Sequence, residues 1–272
     1  MEDPTLSGFD YVLDSTNECN RLELQAAIDG LDRHLRHLPR LSQARILDAG
    51  CGSGALARTI ASSHPHWEVV GVDLNPSYIA YAQGRGREAQ LDNLAFMQGN
   101  LQALSFAAAT FDIIWSRFVL YFLPDPGAAI AEFKRVIRPN GRIVVTLHSL
   151  SSMINYPEDP SLQDRQRRVF DGLADMCLAP KLPSMMLAGG FRDISVEIEL
   201  DRIYSTLGQI EPSSRKNIED VFKAGINRIT DILGSRDEAD LFVRDSLNYL
   251  DRNDTYTYSL LWTIKGSAPG SP

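Results

Sequence analysis

The sequence predicts an α/β protein built on a parallel sheet that helices bury on both faces. Three observations carry that expectation. Between residue 45 and about residue 147, short β-branched or apolar runs alternate with amphipathic helical stretches. The runs are almost continuously apolar, the pattern of strands covered on both sides. The 272 residues are 44% hydrophobic and 23% charged, which supplies a substantial core for one large domain or two small ones.

The expected strands are Arg45–Ala49, Glu68–Asp73, Leu94–Gln98, Phe111–Ser116 and Arg142–Leu147, with two more at about Phe191–Leu200 and Thr255–Lys265. A helix over Gly127–Arg138 turns Ala129, Ile130, Phe133, Val136 and Ile137 inward and Glu132, Lys134 and Arg135 outward. Pro139-Asn140-Gly141 stops it. Three accessory segments surround this core. Residues 15–38 predict one helix, opened by the capping box Ser15-x-x-Glu18 and carrying the seam Leu24, Ile28, Leu31, Leu35 and Leu38. Residues 151–188 predict irregular chain around Pro157, Pro160, Pro180 and Pro183, with a short basic helix whose Arg165, Arg167 and Arg168 form a solvated face or meet an anionic substrate. Residues 213–250 predict a helical pair. Its first member carries Ile218, Val221, Phe222, Gly225, Ile226, Ile229, Ile232 and Leu233, and Ser235-x-x-Glu238 caps the second.

Acidic residues outnumber basic ones 35 to 27, a net charge of −8. That argues strongly against a histone-like nucleic-acid binder and less strongly against an enzyme acting on tRNA or rRNA. No apolar leader follows Met1, and no apolar run reaches the roughly 18–20 residues of a membrane span. Cys19, Cys51 and Cys177 are widely separated, without a CxxC pair or metal-ligand spacing. The expectation is a cytoplasmic protein in a reducing compartment, with no structural disulfide, no metal and no membrane or nucleic-acid partner.

The chemistry lies in Ile46-Leu47-Asp48-Ala49-Gly50-Cys51-Gly52-Ser53-Gly54. A strand that runs through a glycine turn into a helix lets backbone press against a bound molecule. Asp73 closes the next strand, where an acid holds both hydroxyls of a ribose. A turn without a ligand is one reading. A nicotinamide cofactor is another, because Gly50, Gly52 and Ala55 satisfy G-x-G-x-x-G/A. Asp48 argues against it: a carboxylate beside a pyrophosphate is repelled, whereas it suits a ligand with an ammonium group there.

That ligand description fits S-adenosylmethionine (SAM), and the motifs resemble those of class I SAM-dependent methyltransferases. ILDAGCGSG is similar to the first motif and VVGVDLNPSYIAYA to the second. MQGNLQALSFAAATFDIIWSRFVLYFLPDP and FKRVIRPNGRIVV resemble the remaining motifs of the small-molecule branch related to ubiquinone/menaquinone methyltransferases. The likeness covers roughly residues 44–147. The pattern Tyr11…Glu18-x-x-Arg21-Leu22-x-x-Gln25 and the strand NDTYTYSLLWTIKG resemble a subset of that branch.

The resemblance implies a Rossmann-like, seven-stranded, mostly parallel sheet with an antiparallel last strand and helices on both faces. It divides the chain into an N-terminal helical lid (1–40), a core (41–200, with 151–188 accessory), a helical cap (201–254), the last strand (255–265) and a disordered tail (266–272). It further implies that Asp48, Ala49, Gly50, Cys51, Gly52 and Gly54 meet the methionine part of SAM. Asp73 meets the ribose, Leu74 and Asn75 the adenine, and Gly99, Asn100 and Leu101 the adenine edge. Ser116 and Arg117 line the cofactor's open side. Many relatives carry Asp where Asn100 stands, so the hydrogen bond to the adenine amino group lacks a charge here. Tyr11 and Arg21 either close the lid, with Arg21 at the SAM carboxylate, or belong to an ordinary salt-bridged surface helix.

Cys51 reads as a small apolar filler and His64-Pro-His66 as a surface turn. Tyr121 is a cavity wall or core packing. His148, at the carboxyl end of a core strand, is a general base or a cavity-lining histidine. Methyl transfer from a sulfonium is a displacement that chiefly needs alignment and exclusion of water. The accessory segments predict a roof over an enclosed cavity for a small, partly apolar metabolite, with S-adenosylhomocysteine as by-product. Two other functions are compatible with the motifs: a cyclisation or rearrangement without methyl transfer, and a non-catalytic SAM-binding partner. A monomer or homodimer is expected.

Overall fold

The computed structural model describes residues 17–173, 175 and 177–270. Among these, eight strands form one sheet: β1 (Arg45–Ala49), β2 (Glu68–Asp73), β3 (Leu94–Gln98), β4 (Phe111–Arg117), β5 (Ile137–Tyr156), β6 (Arg192–Leu200), β7 (Thr206–Leu207) and β8 (Tyr256–Ser267). Their order is β3-β2-β1-β4-β5-β8-β6, with β7 paired to β8 off this path. Strands β1 to β5 pair in parallel, and β8 is antiparallel to both β5 and β6. The helices are α1 (Glu18–Asp29), α2 (Ala55–Ser63), α3 (Pro76–Glu88), α4 (Pro126–Val136), α5 (Pro160–Leu173), α6 (Leu178–Ala188), α7 (Pro212–Leu233) and α8 (Arg236–Leu250).

Successive residues of the central strands point to opposite faces, and both faces are covered. Leu47, Ile114 and Val145 pack on α4 and α6 through Phe133 and Leu182. Ile46, Ile113 and Trp115 pack on α2 and α3 through Ile60 and Ile79. A third cluster, with Val169, Phe222 and Phe242, joins α5, α7 and α8 into a roof. Each large side chain so buried contributes about 1.5–3 kcal/mol.

The sheet has eight strands rather than the seven expected, because the chain leaving β6 pairs briefly with β8 at Thr206 and Leu207. The single helix expected over 15–38 is broken at Gly30, whose φ of 71° closes α1, and Leu31–His37 form a 3₁₀ segment. The buried face of α1 is polar, carrying Glu18, Arg21, Gln25 and Asp29, whereas Leu24 and Ile28 of the expected seam are half-buried. Ser15 of the expected capping box lies outside the described residues.

Most of the described residues between 151 and 188 lie in regular elements rather than irregular chain. Strand β5 continues to Tyr156, and α5 and α6 follow. Prolines are tolerated in a first helical turn, and Pro160 opens α5 behind Asp159, whose side chain accepts the Leu162 N–H at 2.9 Å. Arg165 is buried, paired with Asp245 of α8 at 2.8 Å, rather than solvated. Helix α4 stops at Val136 because Ile137 already pairs with Phe111, and Pro139-Asn140-Gly141 bulges out of β5 with Asn140 at φ 62°. That bulge holds the chain after β8: Ala268 is buried and exchanges backbone hydrogen bonds with Asn140 and Gly141. The tail expected to be disordered from residue 266 is therefore strand to Ser267, with Ala268 docked after it.

Candidate functional site

The turn after β1 is held against the end of β2, where the N–H groups of Gly50 and Cys51 both donate to the Val72 carbonyl, at 2.8 and 2.9 Å. Gly50 has φ 83°, and a Cβ there would lie 2.3 Å from Val119 Cγ2. Gly54, at φ 77°, faces the Phe96 ring as closely. Both positions thus exclude a side chain by backbone conformation and by space.

Asp73 accepts two backbone hydrogen bonds, from Gly52 N–H on Oδ2 at 2.9 Å and from Asn75 N–H on Oδ1 at 3.0 Å. Burial pushes its carboxyl above the usual range, and those donors pull it back. The Leu74 N–H bears on the carboxylate as well, and the residue lies on the wall of the cavity. Asp48 stands behind the turn, 2% exposed, with Oδ2 lacking any partner. Burial pushes its carboxyl up to about 7 against the opposing Arg117. Asp48 does not line the cavity and acts on it as a buried negative charge behind the turn; with Asp73 on the wall, these residues fit the charge pattern of SAM.

Of the other residues implied by the motifs, Gly50, Cys51, Gly52, Leu74, Asn100, Leu101, Arg117, Tyr121 and Arg21 line the same cavity. Ala49, Gly54, Asn75, Gly99, Ser116 and Asp48 are not among the residues that line it. Asn75 caps α3, its side chain accepting the Ser77 N–H at 2.9 Å. The Asn100 amide oxygen accepts the Gln102 N–H at 2.9 Å. Burial raises the Cys51 thiol well above its ordinary range, so it fills space rather than attacks. Tyr11 lies outside the described residues.

Arg21 is buried, with four of its five N–H donors engaged. It makes a bidentate pair with Glu18 at 2.7 and 2.5 Å, and its Nη1 donates to Gln25 Oε1 at 2.8 Å and Asn217 Oδ1 at 3.1 Å. Arg117 pairs with Asp29 and lies 3.9 Å above the Phe118 ring. Against the upward pull of burial, His34, Arg117 and Arg33 hold the Asp29 carboxyl well below its ordinary range.

His148 sits where β5 loses register with β8, just before the irregularity between Ser149 and Ile154. Its Nδ1 is bonded to Asp201 Oδ2, and its Nε2 lies 3.4 Å from Gln25 Nε2. The ring stacks on Phe118, centroids 3.7 Å apart, and meets Tyr204 edge-on at 5.3 Å. Burial pushes the Tyr204 hydroxyl up to about 12 and that of Tyr121 higher still, so both phenols stay protonated. Over these groups lies the roof, which adds Phe170, Ile218, Val221, Phe222, Ile229 and Tyr249 to the wall.

Sequence reasoning missed Asp201, Phe118, Tyr204 and Asn217. The rule that selects His148 also selects Asp201, because β6 runs parallel to β5 and Asp201 follows its carboxyl end.

The strand order, the glycine turn after β1 and the acid closing β2 define the Rossmann-like methyltransferase fold. Residues 47–145 match the family described as methyltransferase domain. The chain is 34% identical over 121 residues to the ubiquinone/menaquinone biosynthesis C-methyltransferase of Syntrophotalea carbinolica, covering 43% of this chain and 51% of that one. It is 26% identical over 162 residues to the malonyl-[acyl-carrier protein] O-methyltransferase of Herminiimonas arsenicoxydans, covering 60% and 58%. The chain thus spans about half the length of the curated relatives it matches. The Haemonchus contortus phosphoethanolamine N-methyltransferase 2, solved with SAM, shares the fold at a TM-score of 0.61 and 18% identity, over 96% of this chain and 60% of that one. Among the described residues no helix is long and apolar enough to cross a membrane.

Proposed function

We propose that the protein transfers a methyl group from SAM to a small, partly apolar metabolite, leaving S-adenosylhomocysteine. The observation that carries this reading is a single cavity with the glycine turn and Asp73 on one part of its wall and the apolar underside of α5, α7 and α8 on another. SAM supplies a methyl group already activated by a positively charged sulfur. The chain's own task is then to hold both reactants in line and keep water out.

Asp73, on the cavity wall, is the acceptor for the ribose hydroxyls. Asp48 is the negative charge for the methionine ammonium, set one layer behind the Gly50–Gly54 turn. Leu74, Asn100 and Leu101 flank the adenine, and Arg117 borders the open side. The acceptor lies under the roof, against Phe170, Val221 and Phe222. A folded protein or an RNA needs an open face there, which the three roof helices oppose.

The test is a calorimetric titration with SAM and, separately, with reduced nicotinamide dinucleotides, followed by incubation with methyl-labelled SAM and candidate metabolites. SAM binding and label transfer are the expected results. Tight nicotinamide binding without SAM binding overturns the reading.

A further inference from the structure

We propose that His148 and Asp201 form a proton-accepting dyad, with Asp201 as positioning residue, and that the acceptor is a hydroxyl compound losing its proton as it is methylated. This rests on the methyl-transfer reading above and narrows it from any nucleophile to one that carries an ionisable O–H.

Three side chains fix which ring nitrogen of His148 bears the proton. Arg21 has only donors, so its 2.8 Å contact with Gln25 must be made to the amide oxygen. The Gln25 amino group therefore faces His148, and a donor facing Nε2 requires a lone pair on that nitrogen. The proton then resides on Nδ1, which is where the Asp201 carboxylate accepts it. Asp201 is itself fixed: its other oxygen accepts the Ile203 N–H at 2.7 Å, and its own N–H donates to Ser259 O at 3.0 Å. Phe118 and Tyr204 hold the ring plane. The Gln25 contact, at 3.4 Å, is long and weak, so an acceptor hydroxyl displaces it at little cost.

The step balances. The hydroxyl oxygen forms its bond to the methyl carbon while the carbon–sulfur bond breaks. That electron pair stays on sulfur, which leaves as a neutral thioether. The hydroxyl proton passes to His148 Nε2, and the imidazolium so formed is neutralised by Asp201. A thioether acceptor has no proton to lose and calls for no such arrangement. The other charged and titratable groups around the ring are already engaged or protonated. On α1, Arg21 is paired with Glu18; after β4, Arg117 is paired with Asp29 and Tyr121 is neutral; after β6, Tyr204 is neutral.

The first experiment needs no acceptor. Heteronuclear NMR of the histidine rings, with His148 assigned through His148→Gln, should show the Nδ1–H tautomer at neutral pH. Asp201→Asn should abolish it. The Asn oxygen keeps the Ile203 bond, so its amino group faces Nδ1 and drives the proton to Nε2. An Nε2–H tautomer in the parent protein overturns the proposal. The second experiment supplies labelled SAM with a panel of phenols, aliphatic alcohols and 1,3-diketones. The label should appear on oxygen, and both variants should lose about 10²–10⁴-fold in kcat, the usual share of a general base. SAM affinity should be unchanged, and the rising limb of the pH–kcat curve should move in Asp201→Asn. Label on carbon overturns the hydroxyl acceptor, and an unchanged kcat in both variants overturns the dyad; each leaves methyl transfer intact. Failure of the parent protein to bind SAM appears in calorimetry first and removes both readings.

Discussion

Arg21 on α1 and Asn217 on α7 share a hydrogen bond of 3.1 Å in a site where Arg21 is 6% and Asn217 0% exposed. The bond ties the N-terminal helix to the insertion, and Glu18 neutralises the guanidinium from its other edge. Arg21→Ala leaves the Glu18 carboxylate buried without a partner and should cost about 3–5 kcal/mol in urea unfolding. The double variant Glu18→Leu/Arg21→Met should recover most of that loss, because it leaves no buried charge. A double variant as unstable as the single one would move the origin of the loss to Asn217 and Gln25.

Gly50 and Val119 make a second pair that admits no added atom. Gly50→Ala should cost roughly 1–2 kcal/mol for the left-handed backbone, with the overlap at Val119 in addition. Adding Val119→Ala should return the overlap part and leave the backbone part, and thermal unfolding of the three variants separates the two. Full recovery in the double variant would mean that φ at Gly50 carries no penalty.

The places of the five parallel strands along the chain were legible because their apolar runs are continuous and each is followed by helix or turn residues. The cofactor half of the site was legible for a related reason: Asp48, Gly50 and Asp73 lie at strand ends, where local sequence dictates geometry. The other half depends on contacts that span the chain. Asp201 reaches His148 only because β6 is carried past β8 to run parallel with β5, and Asn217 meets Arg21 across two segments that share no local pattern. The polar face of α1 shows the difficulty well. Hydrophobic periodicity pointed to Leu24 and Ile28, but the face turned inward is the one whose Glu18, Arg21 and Gln25 satisfy one another. Prolines misled in the same way over 151–188, since Pro160 starts a helix there instead of preventing one.

Asp73→Asn should weaken SAM binding by about 1–3 kcal/mol, the scale of charge-assisted hydrogen bonds. The amide sets an N–H donor against either Gly52 N–H or Asn75 N–H, so unfolding must be followed beside the calorimetric titration. A folded variant with unaltered SAM affinity would remove the ribose role from this carboxylate.

Asp48 makes stability depend on pH in a direction opposite to that of a salt-bridged carboxylate. Burial raises its folded-state pKa to about 7, from an ordinary value of 3.8. Between those two values the folded protein holds the proton and the unfolded chain has lost it. Stability therefore falls as pH rises through that window and levels off above it. Asp48→Asn has no proton to lose. The urea midpoint of the parent protein should decline relative to the variant from pH about 4 to pH about 7, then run parallel to it. Saturating SAM should flatten the decline, because an ammonium beside Asp48 favours the ionised carboxylate and offsets the cost of burying it. Binding near pH 6 should accordingly release a proton from the parent protein and none from Asp48→Asn, which calorimetry in buffers of different ionisation enthalpy detects. Equal proton release from the two proteins would place the ammonium elsewhere.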